Sequence, residues 1–172
     1  MSRYQLLRIL DIAGGVDGRK RMQKMAFLLQ CNGLQLDYDF VIHHYGPYSF
    51  DLANEVTLMT RGNLVEERED QLGQAKAYRY SMSPNARSQL QDLATEPRFQ
   101  SAEHELAVRS ELIKRLAKED LWTLELGSTI AYFQRKSGDW NEAIQAACVV
   151  KSRAPEDADV QKAFAFVRSL VA

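Results

Sequence analysis

Tyr38-Asp39-Phe40-Val41-Ile42-His43-His44-Tyr45-Gly46-Pro47-Tyr48-Ser49-Phe50-Asp51 is the stretch on which the reading of the fold turns. It runs apolar and extended through Val41 and Ile42 and breaks at Gly46-Pro47. It restarts at Ser49, a side chain suited to the N-cap of a helix, with Asp51 in the first turn, where a negative charge complements the helix dipole. A helix ends just before it at Asn32-Gly33, and Leu34 is placed for the apolar contact of a C-cap. The stretch therefore reads as the link between the second and third helices of a helix-rich unit.

Outward toward the N-terminus, Leu6, Leu7, Leu10 and Ala13 recur at helical spacing and Gly14-Gly15 closes that helix. Asp17 is placed to cap the second helix. Met22, Met25, Ala26, Leu28 and Leu29 form its apolar side, and Arg19, Lys20, Arg21 and Lys24 begin its polar one. Outward toward the C-terminus, Leu52, Val56 and Met59 give the third helix a core face. Leu64 to Glu69 and Lys76 to Met82 flank a turn at Asp70-Gln71-Leu72-Gly73, and Tyr78, Tyr80 and Met82 alternate with Arg79 and Ser81. That pattern reads as a β-hairpin. Ser83-Pro84 starts a fourth helix.

The order helix, helix, short strand, helix, hairpin, helix is the plan of a winged helix-turn-helix, whose third helix normally reads DNA and whose hairpin is the wing. The fold class expected is mainly α with a small β-hairpin: a winged helix-turn-helix unit over 1–95 followed by a C-terminal helical bundle over 96–172 for packing or dimerisation. Pro97 marks the boundary. In the second part Ala102, Leu106, Arg109, Ile113 and Leu116 share one stripe, Asp120 caps the next helix, Ser137-Gly138-Asp139 ends it, and Val160, Ala163, Phe164, Val167 and Leu170 line the last.

Composition sets outer limits. The chain has 172 residues, 45% hydrophobic and 26% charged, with a net charge of −1. Neutrality counts against holding nucleic acid by bulk charge, because Lys and Arg on phosphate dominate that affinity. No apolar run reaches the length needed to span a bilayer, and no signal-peptide core precedes the first helix, so a cytoplasmic, membrane-free protein is expected. Cys31 and Cys148 are far apart among apolar neighbours and read as reduced buried thiols.

Several constellations have a sharp and a plain reading. Arg19, Lys20, Arg21 and Lys24 are candidates for phosphate contact, or a solvated helix face. Asn54 and Arg61 on the third helix could address base edges, and Lys76 and Arg79 on the wing could reach backbone, but Asp51, Glu55, Glu66, Glu67, Glu69 and Asp70 share that surface. Tyr45 and Tyr48, with Tyr38, Phe40 and Phe50, either form a binding platform or pack the junction between strand and helix. Trp122 and Trp140 either anchor the C-terminal core or mark a partner or dimer surface. His43 and His44 are adjacent on a strand and point to opposite faces, which excludes joint chelation. Ser49 lacks the strand-turn-helix elbow of a nucleophile. No catalytic set, metal or cofactor is expected.

Arg21-Met22-Gln23-Lys24-Met25-Ala26-Phe27-Leu28-Leu29 resembles the LQK helix of two bacterial and archaeal groups. These are the YwgA-like proteins and the Panacea, or SocA-like, domains associated with phage and toxin–antitoxin systems. In both, an aromatic stretch ending in Y-G-P follows, matched here by Tyr45-Gly46-Pro47-Tyr48-Ser49. The YwgA-like group fits better: Gly62-Asn63-Leu64-Val65 is similar to its G-L-[IV] segment, and Leu124-Glu125-Leu126-Gly127-Ser128-Thr129-Ile130 to its L-E-L-x-[AS]-T-I helix. The resemblance implies the winged-helix fold and brings no catalytic residue with it. The function expected is a non-enzymatic DNA-binding transcriptional regulator on double-stranded DNA, working as a homodimer. The alternative is a protein-binding adaptor or antitoxin-like module on the same scaffold.

Overall fold

Helix α2 (Arg19–Cys31) is the element on which the others pack, and the reason is its composition. Every residue from Met22 to Leu29 is buried, Gln23 and Lys24 included. A helix buried all round needs neighbours on all sides. Helix α3 (Phe50–Arg61) covers one side; α6 (Ser110–Lys118) and α7 (Leu121–Ser137) cover the others. The computed structural model describes residues 2–72 and 75–170, with the backbone alone at 70–72, 75 and 76.

Helix α1 (Ser2–Ala13) ends where the Gly14 and Gly15 N–H groups bond back to the Asp11 and Leu10 carbonyls, both glycines having positive φ. A two-residue strand, β1 (Val16–Asp17), follows. Asp17 does not cap α2: it lies in β1 and pairs with Arg79, and the N-cap is Gly18, which offers no side chain. The expected short strand is one arm of a hairpin. In it β2 (Val41–His43) pairs antiparallel with β3 (Gly46–Tyr48), Val41 opposite Tyr48. Ser49 caps α3 as read, accepting the Leu52 N–H at 3.3 Å.

Strands β4 (Val65–Leu72) and β5 (Ala75–Met82) form the expected second hairpin, and β1 adds to it in the order β1-β5-β4. The strands run on through 70–72, where a turn was read; Gly73 lies outside the described residues. Ser83 caps α4 (Pro84–Ala94), with Pro84 at its first position.

The stripe read as one helix over Ala102 to Leu116 is two, α5 (Gln100–Val108) and α6, broken at Arg109. The Arg109 guanidinium leaves the apolar stripe and donates to the Asn32 carbonyl at 3.0 Å, closing the C-terminus of α2. Arg21 returns the arrangement, donating to the Leu116 and Glu119 carbonyls at the end of α6. Each helix thus supplies a cation for the other's negative end. Helices α8 (Trp140–Lys151) and α9 (Ala158–Arg168) complete the chain against α7, where the Gly127 position meets the Ala163 carbonyl closely.

Leu6, Leu28, Met59, Leu106, Leu116, Leu124 and Ile130 are all 1% exposed or less and belong to one continuous core. The architecture is mainly helical with small antiparallel sheets. No helix among the described residues is long and apolar enough to cross a membrane. Cys31 is half-buried, Cys148 is buried, and both are free thiols.

Candidate functional site

Gln23 and Lys24 stand side by side on α2 and face the β2–β3 turn. The Gln23 side chain holds Ser49 at both ends of its peptide: Nε2 donates to the Ser49 carbonyl at 2.9 Å and Oε1 accepts the Ser49 N–H at 2.8 Å. Ser49 is fully buried, so these bonds satisfy groups that water cannot reach. Lys24, 1% exposed, donates from Nζ to the Pro47 carbonyl at 2.7 Å.

From the far side Lys151 of α8 donates to the His44 carbonyl at 3.3 Å and pairs with Glu125 of α7. The carbonyls on either side of Tyr45-Gly46 therefore each face a lysine. Thr129 donates back to the Glu125 carbonyl at 2.7 Å. Gly46 sits at φ 91°, and a Cβ there would stand 2.6 Å from Thr129 Oγ1 and 3.3 Å from the Glu125 carbonyl oxygen. Only glycine meets both the backbone angle and the close approach of α7. The segments Met22-Gln23-Lys24, Tyr45-Gly46-Pro47 and Leu124 to Ile130, far apart in the chain, meet at this one place.

Glu125 pairs with the buried Lys151 ammonium, and the Lys24 ammonium, also buried, feels the same carboxylate without an ion pair to it. Burial pushes Lys24 down from its ordinary 10.5 to about 8. Glu125 works against that shift, and Lys151 and Lys20 add to it.

In front of the cluster lies a cavity of about 240 Å³. Arg19, Lys20 and Lys24 supply its charge, Tyr45, Tyr48 and Phe50 its aromatic walls, and among the described residues no carboxylate lines it. Lys20 Nζ sits 3.3 Å from the Tyr45 ring centroid. Tyr48 packs edge-on against Phe50 at 5.0 Å. A second groove shares Arg19, Gln23 and Tyr48 with it and runs along Leu52 and Val56 of α3. Large apolar side chains on β2, the β2–β3 turn and α3 are left open to solvent. Phe50 is 63% exposed, Leu58 54%, Val41 48% and Tyr45 44%.

The cations expected to face phosphate are mostly engaged within the protein. Arg19 donates to the Tyr80 hydroxyl at 2.7 Å and reaches Glu67 at 3.5 Å. Burial first, then the Glu67 bond, pushes Tyr80 up to about 12, and Arg19 opposes the shift. Arg21 caps α6, and Arg79 is held by Asp17 and by the Gly14 carbonyl at 2.8 Å. Lys24 is buried beneath the turn; the polar side to which it was assigned ends before it, with Arg19 and Lys20 exposed and α2 enclosed from Met22 to Leu29. Lys20, Asn54 and Arg61 are exposed. The Lys76 side chain lies outside the described residues. Trp122 donates to Asp159 at 2.7 Å, and Trp140 packs on Phe164 at 5.7 Å; both are half-buried among the C-terminal helices.

Sequence reasoning passed over Lys151 and noted Gln23, Glu125 and Thr129 only as parts of motifs. The available signal was polarity out of place. Gln23 and Lys24 interrupt an apolar run, as do Glu125, Ser128 and Thr129, and each is buried. The exposed apolar residues Phe50, Leu58, Val41 and Ile42 gave no comparable signal.

No protein-family profile matches this sequence. The chain is 25% identical over 129 residues, 75% of its own length and 72% of the other's, to the uncharacterised protein YwgA of Bacillus subtilis (strain 168). That similarity points the same way as the YwgA-like motifs, and it brings no activity with it.

Proposed function

We propose that this chain is a non-enzymatic protein-binding module, an adaptor or antitoxin-like protein on a winged helix-turn-helix scaffold. The observation that carries this reading is the exposure of five large apolar residues on β2, the β2–β3 turn and α3, namely Val41, Ile42, Tyr45, Phe50 and Leu58, where a reading surface for DNA would need cations. Exposed apolar side chains gathered in number mark interaction sites, and exposed aromatics concentrate interface energy. The order α1, α2, α3, β4, β5, with β1 added to β5, supports the scaffold. Salt bridges of Arg19 to Glu67, Arg68 to Glu66 and Arg79 to Asp17 break up the basic strip that phosphate would require. In this reading residues 1–95 carry recognition, residues 96–172 pack against them or dimerise, and the protein works in the cytoplasm.

The test is affinity capture from native lysate after nuclease treatment, with Phe50→Asp and Leu58→Asp as controls. Both sites are exposed, so the variants should keep their stability within ~0.5 kcal/mol. A stoichiometric protein partner held by the wild type and released by both variants is expected. Recovery of the chain alone refutes the reading.

A second reading, a DNA-binding transcriptional regulator, is favoured by the exposure of Lys20, Asn54 and Arg61. Titration of labelled duplex DNA at ~50 mM and ~200 mM salt tests it, since phosphate-driven affinity falls steeply over that range. Absence of binding at the lower salt removes it.

A further inference from the structure

We infer that the cavity between the start of α2 and the β2–β3 turn is a carboxylate-binding site, filled by an acidic side chain of the partner protein that has an apolar neighbour. The source of the carboxylate rests on the protein-binding reading; the chemistry of the cavity rests on its own residues.

Sign comes first. Arg19, Lys20 and Lys24 line the cavity, and among the described residues no Asp or Glu does. Two carboxylates that contact this part of the fold are committed elsewhere, Glu67 to the Tyr80 hydroxyl at 2.6 Å and Glu125 to Lys151. Lys20 and Lys24 are one helical turn apart on α2, so one carboxylate can lie between their ammonium groups.

Lys24 supplies the second argument. Its ammonium is buried and bonds to a neutral carbonyl, that of Pro47, with no carboxylate in an ion pair with it. An ammonium has three N–H donors, and a buried cation is costly unless paired. The cluster behind it holds Lys24 and Lys151 against Glu125, so one positive charge stays uncompensated. A carboxylate in the cavity supplies the missing counter-charge. Lys20, though exposed, rests on the face of Tyr45, a weaker partner than an anion, and makes no ion pair among the described residues.

Size and walls give the companion group. About 240 Å³ is below the ~300–1,000 Å³ typical of sites for whole small molecules, and it suits one or two side chains. Tyr48 and Phe50 form an edge-on aromatic pair at its rim, with Phe50 left open to solvent. An apolar side chain beside the acid covers that rim.

The experiment is a ¹H–¹⁵N NMR titration of the full chain with N-acetyl-phenylalanine, a carboxylate beside an aromatic ring, and with its neutral amide. Saturable shifts are expected at the amides of Lys20, Gln23, Gly46 and Tyr48. The amide probe should bind roughly tenfold more weakly, as should the acid to Lys20→Gln, as loss of a charge-assisted bond dictates. Lys20 is exposed, and an unchanged melting curve confirms that K20Q is folded. Equal binding of acid and amide, or shifts confined to other regions, overturns the site. If a protein is captured from lysate while the acid fails to bind and K20Q captures normally, the site falls and the protein-binding reading stands. If the acid binds as described and no protein is captured, the site stands and its protein source falls.

Discussion

Replacing Gly46 by alanine tests whether the turn is held as described. The new Cβ would carry a backbone at φ 91° and stand 2.6 Å from Thr129 Oγ1 and 3.3 Å from the Glu125 carbonyl oxygen. A left-handed backbone costs a non-glycine residue ~1–2 kcal/mol. Overpacking adds ~1–3 kcal/mol, because Thr129 can retreat only by giving up its bond to Glu125 and α7 cannot move without disturbing the core. Together these give a loss of about 2–5 kcal/mol, or roughly 4–20 °C in Tm for a chain of this length. Urea unfolding followed by circular dichroism measures it. Adding Thr129→Ala removes the steric part and leaves the backbone part, so the double variant should show a favourable coupling of ~1–2 kcal/mol. A loss below ~0.5 kcal/mol for Gly46→Ala, or additive behaviour of the pair, would refute the reasoning.

Three further outcomes follow from the same cluster. Lys24 has a folded pKa of about 8 against an ordinary 10.5, so the unfolded chain binds more protons between those values and stability rises with pH across that window. Relative to Lys24→Met, the wild type should gain roughly 3 kcal/mol between them; parallel stability curves would contradict this. Gln23→Leu strands the buried N–H and carbonyl of Ser49 and should cost roughly 2–5 kcal/mol, with faster hydrogen exchange at the Ser49 amide. Unchanged exchange there would mean that Gln23 does not hold the turn. Glu125→Gln leaves two lysines buried without a carboxylate and should cost roughly 3–5 kcal/mol. Most of that should return when Lys151→Met is added, and a double variant no more stable than the single would sink the explanation.

Much of the fold is legible in the sequence, because it is set by local chemistry. Ser49, Ser83 and Asp120 each accept an N–H at the start of the helix they precede, as their positions suggest, and Asp139, read as part of a helix end, does the same for α8. The alternation of Tyr78, Tyr80 and Met82 marks a true strand. What misled was chemistry that depends on distant partners. Arg109 looks like an interruption of a helical stripe until Asn32, 77 positions away, is seen to accept from it. Lys24 looks like the edge of a solvated face until α7 and the β2–β3 turn close over it. The candidate site is harder still: its motifs are visible as strings, but their convergence is a tertiary fact. The core face of α3 is read correctly as Leu52, Val56 and Met59, while Phe50, for which the sequence offers both a binding platform and a packing role, is left open to solvent.

The bond from Lys151 to His44 spans 107 residues, and that separation has a consequence for timing. A chain leaving the ribosome presents α2, the β2–β3 turn and α3 long before α8 exists. Until α7 and α8 arrive, Lys24 can remain hydrated, the His44 carbonyl has no ammonium to face, and Gly46 has no helix to lie against. The cavity beside the β2–β3 turn therefore takes its final form only after α7 and α8 have been made. A nascent segment that ends before α7 carries the sequence of the cavity without its shape.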